Sequence, residues 1–131
     1  MNLQKLLNPN GICVIGASEK DGFGADTCRN IIKYMDEDQY FFVNPRRETV
    51  LGVKCYPSVA ALPRQVDLVI VCTPRNTIET MLREAHTAGA RAAIVYASGY
   101  SEVGTAEGRA AQESLVALAR ELDMPIMGPN C

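Results

Sequence analysis

Residues 14–32 read VIGASEKDGFGADTCRNII, which joins an apolar run, a small-residue turn, a polar loop and a helical pattern. The apolar run, residues 11–15, is continuous and bounded by glycines, as is typical of a strand covered on both faces. Beyond the loop, apolar residues recur at helical spacing and predict a helix over residues 25–35. A glycine that closes a strand before a loop opens a helix usually faces a phosphate.

The same alternation of strand and helix patterns continues along the chain. Apolar runs predict strands at residues 40–43, 66–72, 92–96 and 125–127, and a short extended piece at residues 52–56. Periodic or alanine-rich stretches predict helices at residues 76–88 and 105–122. This alternation is typical of βαβ units with right-handed crossovers. We therefore predict an α/β fold, a Rossmann-like doubly wound parallel sheet of about five strands in the order 3-2-1-4-5, with helices on both faces.

Length, charge and hydropathy restrict the class of protein. A chain of 131 residues predicts one domain over residues 1–131, and 47% hydrophobic with 21% charged residues is ordinary for a globular protein. The net charge of −2 gives no electrostatic case for binding nucleic acid or an anionic membrane. No apolar stretch approaches the ~20 residues that span a bilayer. We expect neither nucleic acid nor a membrane among its partners.

The sequence positions of the cysteines and of the single histidine indicate structural roles for these residues. The five cysteines form no CxxC pair, and Cys13 and Cys72 lie in apolar runs, so we expect these two to be buried free thiols. An odd cysteine count without a signal peptide predicts the reducing cytoplasm. His86 is expected at a helix end, far from the carboxyl ends of the strands. No His, Cys and Asp cluster has metal-ligand spacing, so no metal site is predicted.

Four loops are expected at one edge of the sheet. In doubly wound sheets, ligands bind beyond the carboxyl ends of the strands, near the point where strand order reverses. The loops that follow the first four predicted strands are all small, polar or basic, which is the composition of an anion site. Their residues are Gly16, Ala17, Ser18, Glu19 and Lys20; Asn44, Pro45, Arg46 and Arg47; Thr73, Pro74, Arg75 and Asn76; and Ala97, Ser98, Gly99 and Tyr100.

The first loop departs from the dinucleotide fingerprint GxGxxG. Ser18 stands where the second glycine would be, and the next glycines are Gly22 and Gly24. Backbone N–H groups, the Ser18 hydroxyl and the positive end of the following helix dipole are still able to bind a phosphate. The alternative is a tight turn in which the glycines serve the backbone geometry alone.

The second loop discriminates best between ligands. An NAD site has an acidic residue at the end of the second strand, whereas this chain has Asn44 followed by Arg46 and Arg47. Two guanidinium groups suit a phosphate on the ribose, which leaves NADP, with its 2′-phosphate, or coenzyme A, with its 3′-phosphate. The alternative for the two arginines is a solvated surface pair. No nucleophile at a strand end has a plausible base, so no catalytic residue is predicted.

A series of motifs, each weak alone, occurs in a specific order and spacing. They are Pro9, Val14-Ile15-Gly16-Ala17-Ser18, Val43-Asn44-Pro45, Gly52, Tyr56-Pro57-Ser58, Leu62-Pro63, Val66-Asp67-Leu68-Val69-Ile70, Thr73-Pro74, Ala88-Gly89-Ala90, Ser98-Gly99-Tyr100 and Gly128-Pro129-Asn130-Cys131. In this order they resemble the N-terminal domain of the NDP-forming acyl-CoA synthetases, a family that includes ADP-forming acetate–CoA ligase and, more distantly, the α subunit of succinyl-CoA synthetase. The resemblance covers essentially the whole chain.

The resemblance implies a Rossmann-like domain that binds coenzyme A. By the family pattern, the segment from Ala17 to Lys20 contacts the pyrophosphate and pantetheine region, and Arg47 lies near the CoA phosphates. Tyr96, Ala97 and Ser98 match a segment that lies along the coenzyme. Thr73 and Pro74 are implied to line the channel from adenine to pantetheine.

The resemblance also implies chemistry outside this chain. The family makes an acyl phosphate from a carboxylate and ATP or GTP through a phosphohistidine, then transfers the acyl group to CoA. The phosphohistidine domain follows this one, and an ATP-grasp module lies farther on or in another subunit. His86 does not match the phosphohistidine, whereas Asn130 and Cys131 match the turn that approaches its loop. We therefore expect an N-terminal fragment that binds CoA without catalysis.

Two other functions and one further partner stay open at this point. A stand-alone CoA-binding regulatory or carrier protein shares the pattern of strands and loops. An NADP-binding fragment of a reductase also fits the two arginines. Besides the downstream domains or subunit, a homodimer is a possible assembly, because surfaces normally covered by those neighbours are then exposed.

Overall fold

One mixed sheet carries helices on both faces in the computed structural model, which describes residues 3–20, 22–97 and 104–128. The strands are β1 Ile12–Ile15, β2 Tyr40–Val43, β3 Thr49–Val50, β4 Val53–Tyr56, β5 Leu68–Val71, β6 Ala92–Val95 and β7 Ile126–Met127. The helices are α1 Gln4–Leu7, α2 Phe23–Tyr34, α3 Ile78–Thr87 and α4 Ala106–Leu122, with 3₁₀ turns at Glu37–Gln39, Val59–Ala61 and Arg75–Thr77.

The strand order is β3-β4-β2-β1-β5-β6-β7, and every neighbouring pair is parallel except the β3–β4 hairpin. The predicted doubly wound α/β fold is confirmed. The five predicted strands are all present, and the hairpin brings the total among the described residues to seven.

The predicted order 3-2-1-4-5 is wrong for the strands as they were numbered. The third of them became β5, which pairs with β1 on the side opposite β2. The place beyond β2 is taken by β4, from the stretch that was interpreted only as an extended piece. A four-residue strand with one buried residue carries too little hydrophobic pattern to compete with a fully buried run.

Register determines where the loops emerge. Ile15 lies opposite both Val43 and Val71, and Val71 lies opposite Val95, so β1, β2, β5 and β6 end at one level. The order reverses between β1 and β5, because the chain runs outward from β1 to β2 and β4, then returns to the other side of β1. The crevice that such sheets use for ligands therefore lies beyond these strand ends.

Two apolar clusters attach the helices to the sheet. On one face, α3 and α4 pack through Leu82 and Leu118 against a cluster that includes Val69. On the other, α2 packs through Cys28 against a cluster that includes Phe42. All four residues of β5 are buried, which explains its uninterrupted apolar sequence. Within the described ranges, no helix has the length and apolarity needed to cross a membrane.

Candidate functional site

Two glycines allow close backbone approaches at the end of β1, one from the segment after β5 and one from α2. Gly16 has φ +88°, and a Cβ there would lie 2.8 Å from the backbone oxygen of Cys72. Gly24 lies in the first turn of α2, and a Cβ there would lie 2.8 Å from the backbone oxygen of Gly16. The close helix–strand approach that the last glycine of GxGxxG allows is therefore provided by Gly24. Both glycines have a packing reason that does not depend on a ligand.

Asn44 joins the first loop to the second. Its Nδ2 donates to the backbone oxygen of Ala17 at 2.9 Å, and its Oδ1 accepts from the backbone N–H of Arg46 at 2.8 Å. The backbone N–H groups of Gly16 and Ala17 both donate to the carbonyl oxygen of Val43, at 3.0 and 3.3 Å. An amide is able to donate and accept at once, which an ionised carboxylate cannot do. An acidic residue at position 44 could therefore not make both of the hydrogen bonds that the Asn44 amide makes.

Glu19 contacts two other segments. Its Oε1 lies 2.8 Å from Arg47 Nη1, and its Oε2 accepts from the backbone N–H of Leu51 at 2.6 Å. The side chains of Arg47 and Glu19 are 42% and 40% exposed, so this ion pair is worth about 0–1 kcal/mol. The guanidinium of Arg47 therefore stays accessible to a solvent-borne anion.

A basic groove lies beside this contact. It has a volume of about 670 Å³ and is lined by Asn44, Pro45, Arg46, Arg47, Glu48, Thr49, Lys54, Cys55 and Pro57. Lys54, which sequence reasoning missed, brings a third cation, and its Nζ lies 5.0 Å from the centre of the Tyr56 ring. The sequence feature that could have identified Lys54 is its position between two apolar residues of a short extended piece. A larger groove of about 800 Å³, between residues 58–65 and α3, contains no predicted site residue.

The remaining predicted residues follow β1, β5 and β6. The Ser18 hydroxyl accepts from the backbone N–H of Lys20 at 3.0 Å, and Lys20 is exposed. The Thr73 methyl would lie 3.0 Å from a Cβ on Gly16, which places the third loop beside the first. Pro74 precedes the turn Arg75–Thr77 that leads into α3.

The fourth loop begins at the same edge, one strand farther from β1. The backbone N–H of Tyr96 donates to the carbonyl oxygen of Val71 at 2.9 Å, and Ala97 is buried. The structure thus gathers residues 16–19, 44–47 and 73 closely, with Tyr96 and Ala97 beyond β5. The residues named from sequence that lie outside the described residues are Ser98, Gly99, Tyr100, Pro129, Asn130 and Cys131.

The thiols have the environment of structural cysteines. Burial raises the pKa of Cys13 and Cys55 above the usual thiol range, and it raises the pKa of Cys28 and Cys72 to about 11. Cys13 is fully buried, as predicted, whereas Cys72 is only partly buried. His86 precedes the last residue of α3, which confirms its predicted position at a helix end. Over the described part of the chain, no group of three acidic, histidine or cysteine residues is arranged to hold a metal ion.

Comparisons with known proteins identify the family of this domain. Residues 10–131 match the model of a family described as the CoA binding domain. The chain is 38% identical over 130 residues to a trans-feruloyl-CoA synthase from an unknown prokaryote, and 37% identical over 130 residues to the α subunit of ADP-forming acetate–CoA ligase II from Pyrococcus furiosus. In both, 98% of this chain is covered, but only 18% and 28% of the relative.

A solved structure extends the likeness to the fold. The dinucleotide-forming acetyl-coenzyme A synthetase 1 of Ca. Korarchaeum cryptofilum, in complex with phosphate and ADP, superposes with a TM-score of 0.87 at 32% identity. The match covers 98% of this chain and 27% of that one. The chain therefore spans less than a third of the length of these relatives.

The close approach at Gly16 predicts a measurable stability difference. Gly16→Ala and Gly52→Ala both place a side chain at positive φ, which costs roughly 1–2 kcal/mol. Only at Gly16 does the new Cβ meet backbone, since nothing lies within 4 Å of a Cβ on Gly52. We expect Gly16→Ala to lose about 1–3 kcal/mol more free energy of unfolding than Gly52→Ala in urea titrations. Equal losses would contradict the packing role.

The raised thiol pKa values predict low reactivity. At pH 8, a thiol with a pKa of about 11 is roughly 0.1% ionised, compared with roughly 10% for an unburied one. In a Cys131→Ser variant, we expect native Cys28 and Cys72 to react with a disulfide reagent about 100-fold more slowly than in urea, with the rate rising as pH rises. A thiol that reacts as fast in the native protein as in urea would show an exposed, activated cysteine.

Proposed function

The chain belongs to the CoA binding domain family, and from that premise we propose that coenzyme A binds along the carboxyl edge of its sheet. The pyrophosphate lies at the first loop, and the ribose 3′-phosphate lies in the basic groove at Arg46 and Arg47. The observation that supports this most is the direct connection of the two loops through Asn44, because it puts a glycine-turn anion site beside a cationic groove. A nucleotide with two separate phosphate positions fits both at once.

The first loop has the features that a pyrophosphate needs. Gly16 follows β1 at a φ of +88°, and α2 begins at Phe23 with glycine as its N-cap residue. A glycine cap supplies no side-chain acceptor, so the first-turn N–H groups and the helix dipole favour an anion there. We assign Ala17, Ser18 and Lys20 to this part of the coenzyme.

The basic groove has the charge that a monoester phosphate needs. Arg46, Arg47 and Lys54 line it with one carboxylate, Glu48, so positive charge is in excess. Asn44 and Pro45 also line it. NADP, with its 2′-phosphate, would also suit this charge, and membership of a CoA-binding family is what favours coenzyme A.

The third and fourth loops would follow the rest of the coenzyme. Thr73 lies beside Gly16, and Pro74 turns the chain into α3. Tyr96 and Ala97 follow β6 at the same edge, and we assign them, together with Ser98, to the pantetheine arm. Its reactive thiol would then leave the sheet on the β6 side, away from the basic groove.

For the whole protein, we propose an NDP-forming acyl-CoA synthetase of the cytoplasm. The relatives' names describe CoA ligases and synthetases, and this chain matches a minor part of each. The carboxylate, the nucleotide and the phosphohistidine would be handled by domains or a subunit outside this chain. His86 lies at the opposite edge from the strand ends and has no part in that step. Those domains or that subunit are the proposed partners, with self-association as a further possibility for the isolated chain.

The ligand assignment predicts a preference for coenzyme A over dephospho-CoA. One charge-assisted phosphate contact is worth about 1.5–3 kcal/mol, so we expect roughly 10- to 150-fold weaker binding of dephospho-CoA in calorimetric titrations. Arg47→Glu should abolish this preference and weaken CoA binding, because it replaces attraction by repulsion. Arg91→Glu, the same charge change beside the amino end of β6, is the matched control. Equal wild-type affinities for the two ligands would remove the role of the arginines.

If catalysis belongs to domains outside this chain, the isolated chain should bind coenzyme A without forming product. With acetate, ATP and CoA, we expect residues 1–131 to bind CoA but to form no ADP and no acyl-CoA. A coding sequence that continues past Cys131 should yield a protein that forms both. A stop codon directly after Cys131 would instead favour a stand-alone CoA-binding protein. Tight NADPH binding with no CoA binding would favour a reductase fragment.

A further inference from the structure

We infer that Glu19 is a positioning residue, which orients Arg47 and holds the β3–β4 hairpin against the first loop. The inference rests on the CoA site proposed above. It assigns Glu19 a different task from its neighbours in the first loop, since its carboxylate faces protein groups and does not contact the coenzyme.

The carboxylate of Glu19 has both oxygens engaged. Oε1 lies 2.8 Å from Arg47 Nη1, and Oε2 lies 2.6 Å from the backbone nitrogen of Leu51. The partners are 28 and 32 residues away along the chain. A single side chain therefore connects the loop after β1, the loop after β2 and the turn of the hairpin.

The hairpin turn needs an outside partner. Leu51 and Gly52 form the two-residue connection between β3 and β4, and both have positive φ, at 51° and 79°. This is the pattern of a type I′ turn, which favours asparagine, aspartate or glycine at its first position. Leucine is strained there, and such strain persists only where surrounding contacts impose it. Leu51 has two, the packing of its side chain on the second core cluster and the bond to Glu19.

The charge of Glu19 also argues for an indirect role. An unpaired carboxylate beside a phosphate would repel it, yet this one is paired with a guanidinium that borders the basic groove. Glu19 engages one end of the guanidinium, and an arginine has five N–H donors, so others stay available to a phosphate. Because the pair is half exposed, it contributes little to stability, and orientation is its main effect.

Two roles for Glu19 predict opposite changes in the strength of the 3′-phosphate contact when Glu19 is replaced. If it orients Arg47, its loss weakens the 3′-phosphate contact. If it only competes with the phosphate for Arg47, its loss strengthens that contact. The ratio of CoA to dephospho-CoA affinity separates the two, because a general loss of loop structure would weaken both ligands alike.

The test uses Glu19→Gln, with Glu48→Gln as the matched control. The amide introduced by Glu19→Gln keeps an oxygen that is able to accept from Leu51, but it lacks the charge that pairs with Arg47. Glu48 lines the same groove, and its carboxylate makes no ion pair among the described residues, so its variant removes equal charge without that contact. We expect Glu19→Gln to lower the affinity ratio several-fold and Glu48→Gln to keep or raise it. A ratio at or above the wild-type value in Glu19→Gln would overturn the positioning role.

A second measurement needs no ligand. In Glu19→Ala, the Leu51 amide should lose its protection from hydrogen exchange, while protection in β1 and β5 stays as in the wild type. Retained protection at Leu51 would overturn the anchoring of the hairpin. If CoA fails to bind the wild type, the proposed function fails, and the Leu51 amide still decides this half of the inference. If CoA binds with a 3′-phosphate preference that Glu19→Gln leaves intact, only the positioning role fails.

Discussion

The common level at which four parallel strands end is the constraint on which the rest of this structure depends. Ile15, Val43, Val71 and Val95 face one another in register, so every loop that follows them starts from the same line. These strands are buried on both faces, so a slip by one residue would exchange the side chains that pack against the two helix layers and disrupt both halves of the core. The apolar core thus sets the position of polar loops that contribute almost nothing to it.

At the level where these strands end, polar side chains connect the loops to one another. Asn44 ties the first loop to the second, and Glu19 ties both to the hairpin. These contacts are exposed or half exposed, so they add little to the free energy of unfolding. Their consequence is geometric, because each removes conformational freedom from a loop of the candidate site. A site arranged in this way is largely formed before the ligand arrives, which lowers the ordering cost of binding.

The sequence predicted most of what the core determines. Residues of β1 and β5 form uninterrupted apolar runs, and the helices α3 and α4 begin and end within about two residues of their expected bounds. It did not predict the hairpin, because β3 has two residues and only one of the four residues of β4 is buried, which leaves a weak hydrophobic pattern. The strand order failed for the same reason. The bonds of Glu19 were also out of reach, since no local rule links a loop residue to a backbone group 32 positions away.

The residues of the candidate site also differ in whether local sequence was able to predict them. Gly16 and Arg47 were selected by local chemistry, a turn glycine and a basic residue at a strand end, and both lie at the expected edge. Lys54 was missed because its strand was not recognised, although it lines the same groove. The environments of the thiols and of the histidine in the described chain also favour binding over catalysis at this edge. Its thiols are kept protonated by burial, and its single histidine lies at the far end of α3, so what the carboxyl edge offers a ligand is backbone N–H groups, cations and a fixed outline. Under the proposed function, such a surface would hold the nucleotide of coenzyme A and present its free end to groups from another part of the protein.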